Sequence, residues 1–128
     1  MRRLCVSLGL IVLVGALCAV HIVYLGRFTG ELTGLLSQAQ AEVEREDWGE
    51  AARLTEQARE RWEGHGGYLH TTLRHTDIDA ILISFDETLA FLRAGERQSA
   101  EYAAVNQRLI TQLELLLEAE LPTLTNVL

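Results

Sequence analysis

The stretch "LCVSLGLIVLVGALCAVHIVYL" (Leu4–Leu25) runs for 22 residues without a charge. A helix needs ~20 mostly apolar residues to cross the hydrocarbon core of a bilayer, so this run can span one. Charges interrupt every other apolar segment of the chain. The 128 residues therefore divide into a short cytoplasmic N-terminus (1–3), a transmembrane anchor (4–25) and one helical domain (26–128).

Arg2 and Arg3 precede the run, while Arg27 follows it and is soon offset by Glu31. The positive-inside rule then places the N-terminus in the cytoplasm and the C-terminal domain outside it, at the cell membrane. His21 and Tyr24 fall near the outer end, where imidazole and phenol can reach headgroup water. The rival reading is a cleaved signal peptide with "GALCA" (Gly15–Ala19) as the cleavage region. Continuation of the apolar run to Leu25 favours an uncleaved anchor, and Leu17 is too bulky for a lipoprotein site before Cys18. Cys5 and Cys18 both lie in the run, ~20 Å apart on a helix, and cannot bridge within one chain.

All eighteen acids follow the anchor, against nine arginines, so that part carries a formal charge of −9; the chain has no lysine. Such a surface repels phosphate backbones, which argues against nucleic acid as a partner. The domain has no cysteine and hence no disulfide framework or thiolate metal site.

Beyond the anchor, Gly26, Gly30 and Gly34 repeat every four residues, in step with Gly15 and Ala19. This spacing suits either close approach of two membrane helices or a flexible exit from the bilayer, and the second is preferred. Leu32, Leu35, Leu36, Ala39 and Val43 mark a first amphipathic helix. Asp47 and Glu50 have capping-box spacing and start a second. Its stripe is Trp48, Ala51, Ala52, Thr55, Ala58 and Trp62, interrupted by Arg59, whose stem is expected to cover a ring. Alanines in this segment have the spacing of a tetratricopeptide hairpin, but one unit counts only as a helix hairpin.

"GHGG" (Gly64–Gly67) ends that helix. The third has its strongest stripe at Ile78, Leu82, Phe85, Leu89 and Leu92, with a far-side row of Leu69, Leu73, Ala80 and Phe91. A helix apolar on two sides sits between neighbours, so this one is expected to be the most buried, or part of a dimer seam. After a turn at Gly95, the fourth shows Tyr102, Val105, Leu109, Ile110, Leu113, Leu116 and Leu117 on one face, and Pro122 is expected to stop it. The fold class is all-α: an N-terminal transmembrane helix followed by an antiparallel bundle of three to four helices.

Chemistry concentrates at His75 and Asp79, at i,i+4 spacing on the third helix. Folding about Gly95 brings His75 beside Leu116, with Glu120 about a turn away. His75, Asp79 and Glu120 are thus candidate metal ligands of a bundle core, without the paired Glu-x-x-His motifs of carboxylate-bridged bundles. The alternative is structural: Asp79 holds His75 in a buried hydrogen-bonded pair, and Asn106, opposite the region of Phe85, fixes register. His70 points ~140° away from His75, and His65 lies in the glycine-rich turn. No nucleophile has a base at helical spacing and no phosphate-cradling glycine loop follows a strand, so neither an enzyme nor a cofactor is expected.

Behind the basic start and single anchor, Trp62, "LRHTDIDAI" (Leu73–Ile81) and the ending "ELPTLTNVL" (Glu120–Leu128) resemble an uncharacterised bacterial family of small membrane-anchored proteins, domain of unknown function family 4363. By position, the resemblance implies Trp62, His75, Asp79 and Asn126 as its marks, and it implies no activity, substrate or cofactor. The chain reads first as a non-enzymatic interaction or assembly module tethered to the bilayer through residues 4–25, with a membrane protein or a second copy as partner. A ligand or ion sensor built on the bundle's polar cluster is the alternative.

Overall fold

The computed structural model describes residues 1–65 and the backbone of residues 75–127, with side chains for 76–119 of the latter. Among the described residues there are four α-helices and one 3-10 turn: α1 (Arg2–Glu44), α2 (Trp48–Gly64), α3 (His75–Ala94), the turn Gly95–Gln98, and α4 (Ser99–Val127). Contacts between them run antiparallel around a ring. Arg61 meets Glu31 and Trp62 stacks on Phe28 between α2 and α1, and Arg59 meets Asp86 between α2 and α3. Ser84 donates to Gln112 between α3 and α4, while Leu117 lies 3.7 Å from the place a Gly26 Cβ would occupy between α4 and α1. The result is an up-down-up-down bundle in which α4 closes on α1.

The apolar run and the first bundle helix are one element. α1 is 43 residues long and passes Gly26, Gly30 and Gly34 without a break, so the flexible exit expected at these glycines is absent. Each glycine costs a helix about 1 kcal/mol relative to alanine. The same segment buries Leu25, Phe28 and Leu32, and burial of such side chains contributes about 1.5–3 kcal/mol apiece. Packing wins over propensity. Thr29 Oγ1 donates to the Leu25 carbonyl at 2.9 Å, and Thr33 Oγ1 to that of Gly30 at 3.2 Å, so the buried hydroxyl is satisfied within the helix.

The turn from α1 to α2 has the hydrogen bonds of a Schellman motif. Asp47 N–H donates to the Glu42 carbonyl at 2.8 Å and Glu46 N–H to that of Val43 at 2.9 Å. Glu46 occupies the left-handed position, with φ 64°, where glycine is the usual residue because a Cβ is strained. Glu46→Gly is therefore expected to raise bundle stability by about 1 kcal/mol, measured as an upward shift of the urea midpoint with an unchanged slope. Asp47 then caps α2 as expected, its Oδ1 accepting from Glu50 N–H at 3.1 Å. The reciprocal half of the capping box is not used, because Asp47 N–H serves Glu42 and the Glu50 carboxylate pairs with Arg53. That bidentate pair holds the Glu50 carboxyl below its ordinary range.

On α2 the expected stripe is the packed face: Ala51, Thr55, Ala58 and Trp62 are buried, with Leu54 beside them. The guanidinium of Arg59 pairs with Glu63 and Asp86, its Nε 3.0 Å from Asp86 Oδ1 but out of line for a hydrogen bond. The two-sided burial expected for α3 is not found. Ile78, Ile81, Phe85, Thr88, Leu89 and Leu92 form one broad inner face, while Asp79, Ala80, Ile83 and Asp86 are exposed and Phe91 is half-buried. In a four-membered ring each helix has one side against the core and its two neighbours, and the opposite side meets solvent. Leu69 and Leu73 lie outside the described residues.

α3 ends at Ala94, and Gly95, with a φ of +73°, turns the chain into the 3-10 segment. On α4, Tyr102, Leu109, Ile110, Leu113 and Leu116 are buried, and Val105 and Leu117 half-buried, as the periodicity predicts. Pro122 does not stop this helix, which continues to Val127. Proline there removes one N–H, that owed to the Glu118 carbonyl, and the backbone carries on past the missing rung.

Candidate functional site

Along α1 the surface passes from exposed to buried between Cys18 and Leu25. Val12 is 64% exposed, Leu17 61%, Val20 67% and Val23 55%, whereas Leu25 is 0% exposed. Leu25, the last residue of the expected span, already belongs to the bundle core with Phe28 and Trp62. The first part of α1 thus presents mostly exposed apolar side chains and is long and apolar enough to cross a membrane, while Cys18, His21, Ile22 and Tyr24 are already half-buried as the bundle is approached. The Ser7 hydroxyl in this stretch donates to the Arg3 carbonyl at 2.8 Å, so this donor is satisfied within the helix.

At the point of change four rings gather. Tyr24 stacks on Phe28 with centroids 6.3 Å apart, Phe28 on Trp62 at 6.0 Å, and His65 leans on Phe28 at 4.4 Å and on Tyr24 at 5.9 Å. His65 Nδ1 lies 2.8 Å from the Arg61 carbonyl, closing the last turn of α2. Rings with polar edges are the residues that settle at a membrane–water boundary, and this collar sits where lipid would give way to water. His65, placed in a loop by the sequence, is thus a member of the collar.

Of the candidate ligands, Asp79 is exposed on the outer side of α3, so it is not half of a buried pair. His75 is the first residue of α3 and Glu120 lies on α4, and their side chains are outside the described residues, as is that of Asn126. The backbone register corrects the expected level of His75. Ser84 pairs with Gln112 and Glu87 with Arg108, which sets His75 level with Glu120, and Leu116 level with Ala80. Among the described residues no group of three His, Cys, Asp or Glu side chains is close enough to share a metal ion. Trp62 is 2% exposed and serves the core.

Asn106 does lock register, but against α1 rather than near Phe85. Fully buried, its Nδ2 donates to the Leu36 carbonyl and to Gln40 Oε1, both at 3.1 Å. One turn earlier, Tyr102 is also fully buried, its ring edge-on to Trp48 at 6.4 Å. The Tyr102 hydroxyl and Asn106 Oδ1 have no protein partner. This polar step in α4 was legible as Tyr102 and Asn106 at i,i+4, but the two were read apart. Burial pushes the Tyr102 phenol well up from its ordinary range. In the unfolded chain it ionises near pH ~10, while the folded state resists ionisation. The contribution is complete below that pH and lost as pH rises above it. Tyr102→Phe is therefore expected to leave stability near pH 7 within about 1 kcal/mol and to lessen the fall in urea midpoint above pH ~10.

The fold is that of a four-helix bundle whose first helix extends without a break into a long apolar segment. The chain belongs to the family described as "Domain of unknown function (DUF4363)", whose model matches residues 19–127. The match opens inside the apolar run and takes in the collar and the whole bundle. Neither a curated protein nor a solved structure matches the chain.

Proposed function

We propose that the chain is a single-pass, non-enzymatic interaction module, with its N-terminus in the cytoplasm and an acidic bundle held outside. The observation that carries this reading is the continuity of α1, whose apolar half is mostly exposed and whose second half is core. Such a helix holds the bundle at a fixed height and orientation instead of on a loose leash. Tethering raises the local concentration of a module near partners in the same membrane, which strengthens weak contacts without new ones. The exposed sides of this helix are open to lipid and other membrane helices, so a membrane protein or a second copy is the partner of this reading. Arg2 and Arg3 before the span support the orientation.

The test uses the full chain in cells, with Cys5 and Cys18 replaced by serine and Glu96→Cys introduced in the exposed turn. A membrane-impermeant maleimide is expected to label this cysteine on intact cells. Labelling only after permeabilisation would overturn the proposed orientation.

A further inference from the structure

The segment "LPTLTNVL" (Leu121–Leu128) holds no charged side chain, and α4 stays helical through it to Val127. We propose that the end of α4, from Leu121 onward, is a second membrane-embedded element, lying beside α1 in the lipid leaflet nearer the bundle. This rests on the spanning reading of α1 and adds a second point of entry into the bilayer.

Two contacts set the register of α4 on α1. Asn106 Nδ2 donates to the Leu36 carbonyl, and Leu117 lies 3.7 Å from the place of a Gly26 Cβ. Carried on, this antiparallel register puts Glu120 level with Val23 and Thr125 level with Cys18. From Leu117 to Val127 the helix advances ~15 Å toward the N-terminal end of α1. The end of α4 therefore shares the level of residues that the proposed span places in hydrocarbon. Burial on α1 agrees. Gly15, Cys18, Ile22 and Gly26 are half-buried, while Leu17, Ala19, Val20 and Val23 between them are exposed. The half-buried set recurs at three- and four-residue steps, which is one side of a helix. It is the side on which Gly26 meets α4.

Charge disappears at the same level on both helices. α1 has none between Arg3 and Arg27, and α4 has none beyond Glu120. Neighbouring helices that lose charge together mark the edge of a layer without water, because a charge in hydrocarbon is costly. The broken rung of α4 falls at that edge too. Pro122 leaves the Glu118 carbonyl without its helical donor. Glu118 is level with Leu25, beside the ring collar, where water can serve the carbonyl instead of lipid leaving it unpaired. Lipid is the occupant these features select, since it already surrounds the exposed sides of α1 at this level in the spanning reading. Two helices that enter the leaflet side by side seat the bundle on the membrane surface and fix its rotation, which a single helix leaves free.

The experiment uses the full chain with Cys5 and Cys18 replaced by serine, reconstituted in phosphatidylcholine vesicles. Single cysteines are placed over one turn of α4, at Thr123→Cys, Leu124→Cys, Thr125→Cys and Asn126→Cys, and each carries a polarity-sensitive fluorophore. Ala16→Cys reports the span, and Gln107→Cys, exposed higher on α4, reports the medium. Quenching is read with nitroxides on the lipid acyl chains and, separately, with iodide on both sides of the membrane. The sites of the turn that face away from α1 are expected to lose fluorescence to the lipid nitroxides, as Ala16→Cys does, and Gln107→Cys only to iodide. Iodide quenching throughout the turn, with Ala16→Cys still quenched from lipid, would overturn the proposal and leave the spanning reading intact. Quenching by neither reagent at all four sites would overturn it as well, since protein, such as a second copy, would then cover the segment. Iodide quenching of Ala16→Cys would instead remove the spanning reading and the proposal with it.

Discussion

Leu32→Ala is expected to lower the stability of the bundle by about 2–5 kcal/mol and its melting temperature by ten degrees or more. Leu32 is 0% exposed and lies on α1 among Phe28, Leu36 and Leu109 of the central cluster. Truncation removes buried methyl groups and leaves a cavity that neighbours on stiff helices fill only in part. The variant should still reach the membrane, because the apolar half of α1 is untouched. Denaturant unfolding of the detergent-solubilised protein, followed by helical circular dichroism, gives the number. A loss under 1 kcal/mol would mean that α1 contributes no core beyond its apolar half.

The converse substitution, Leu13→Arg, should leave the bundle folded and break the tether. Leu13 is 56% exposed near the middle of the apolar run. An arginine at the centre of a spanning helix costs insertion about 2.5–3.5 kcal/mol, and the leucine's favourable contribution is lost as well. This corresponds to roughly a hundredfold shift in partition. Extraction of membranes at alkaline pH should leave the native chain in the pellet and release most of the variant. Full retention of Leu13→Arg in the pellet would show that this stretch is not held in hydrocarbon.

Together these substitutions separate two environments that one helix joins. The division was visible in the sequence because each half has its own signature: no charge at all from Leu4 to Leu25, and a 3.6-residue apolar period beyond. The cap at Asp47, the stripe of α2, the inner faces of α3 and α4 and the turn at Gly95 were legible for the same local reasons. The continuity of α1 was not. Three glycines at 26, 30 and 34 read as a weak joint when propensity alone is weighed, and only the packing of Leu25 and Phe28 against other helices reverses that.

The site followed the same rule. His75 and Asp79 stood out because their spacing is local, and for Asp79 the structure gives an exposed side chain. What the structure brings together instead is nonlocal: Gln40 from α1, Trp48 from α2, and Tyr102 and Asn106 from α4. Asn106 was recognised as a register-fixing residue by its place in an apolar stripe. Its partners on α1, Leu36 and Gln40, were not legible, because a periodic face does not say which of two flanking helices it meets. Pro122 was read by its local rule as a stop, yet α4 continues through it.

The account rests on α1 being one straight helix that carries span and core together. The most direct test is the distance between spin labels at Ile11→Cys and Ala41→Cys, both exposed sites on α1, in lipid nanodiscs with Cys5 and Cys18 replaced. At 1.5 Å per residue, an unbroken helix predicts a single narrow distribution near ~45 Å. A broad distribution, or one centred well below that value, would show that the chain bends at its glycines and contradict the account.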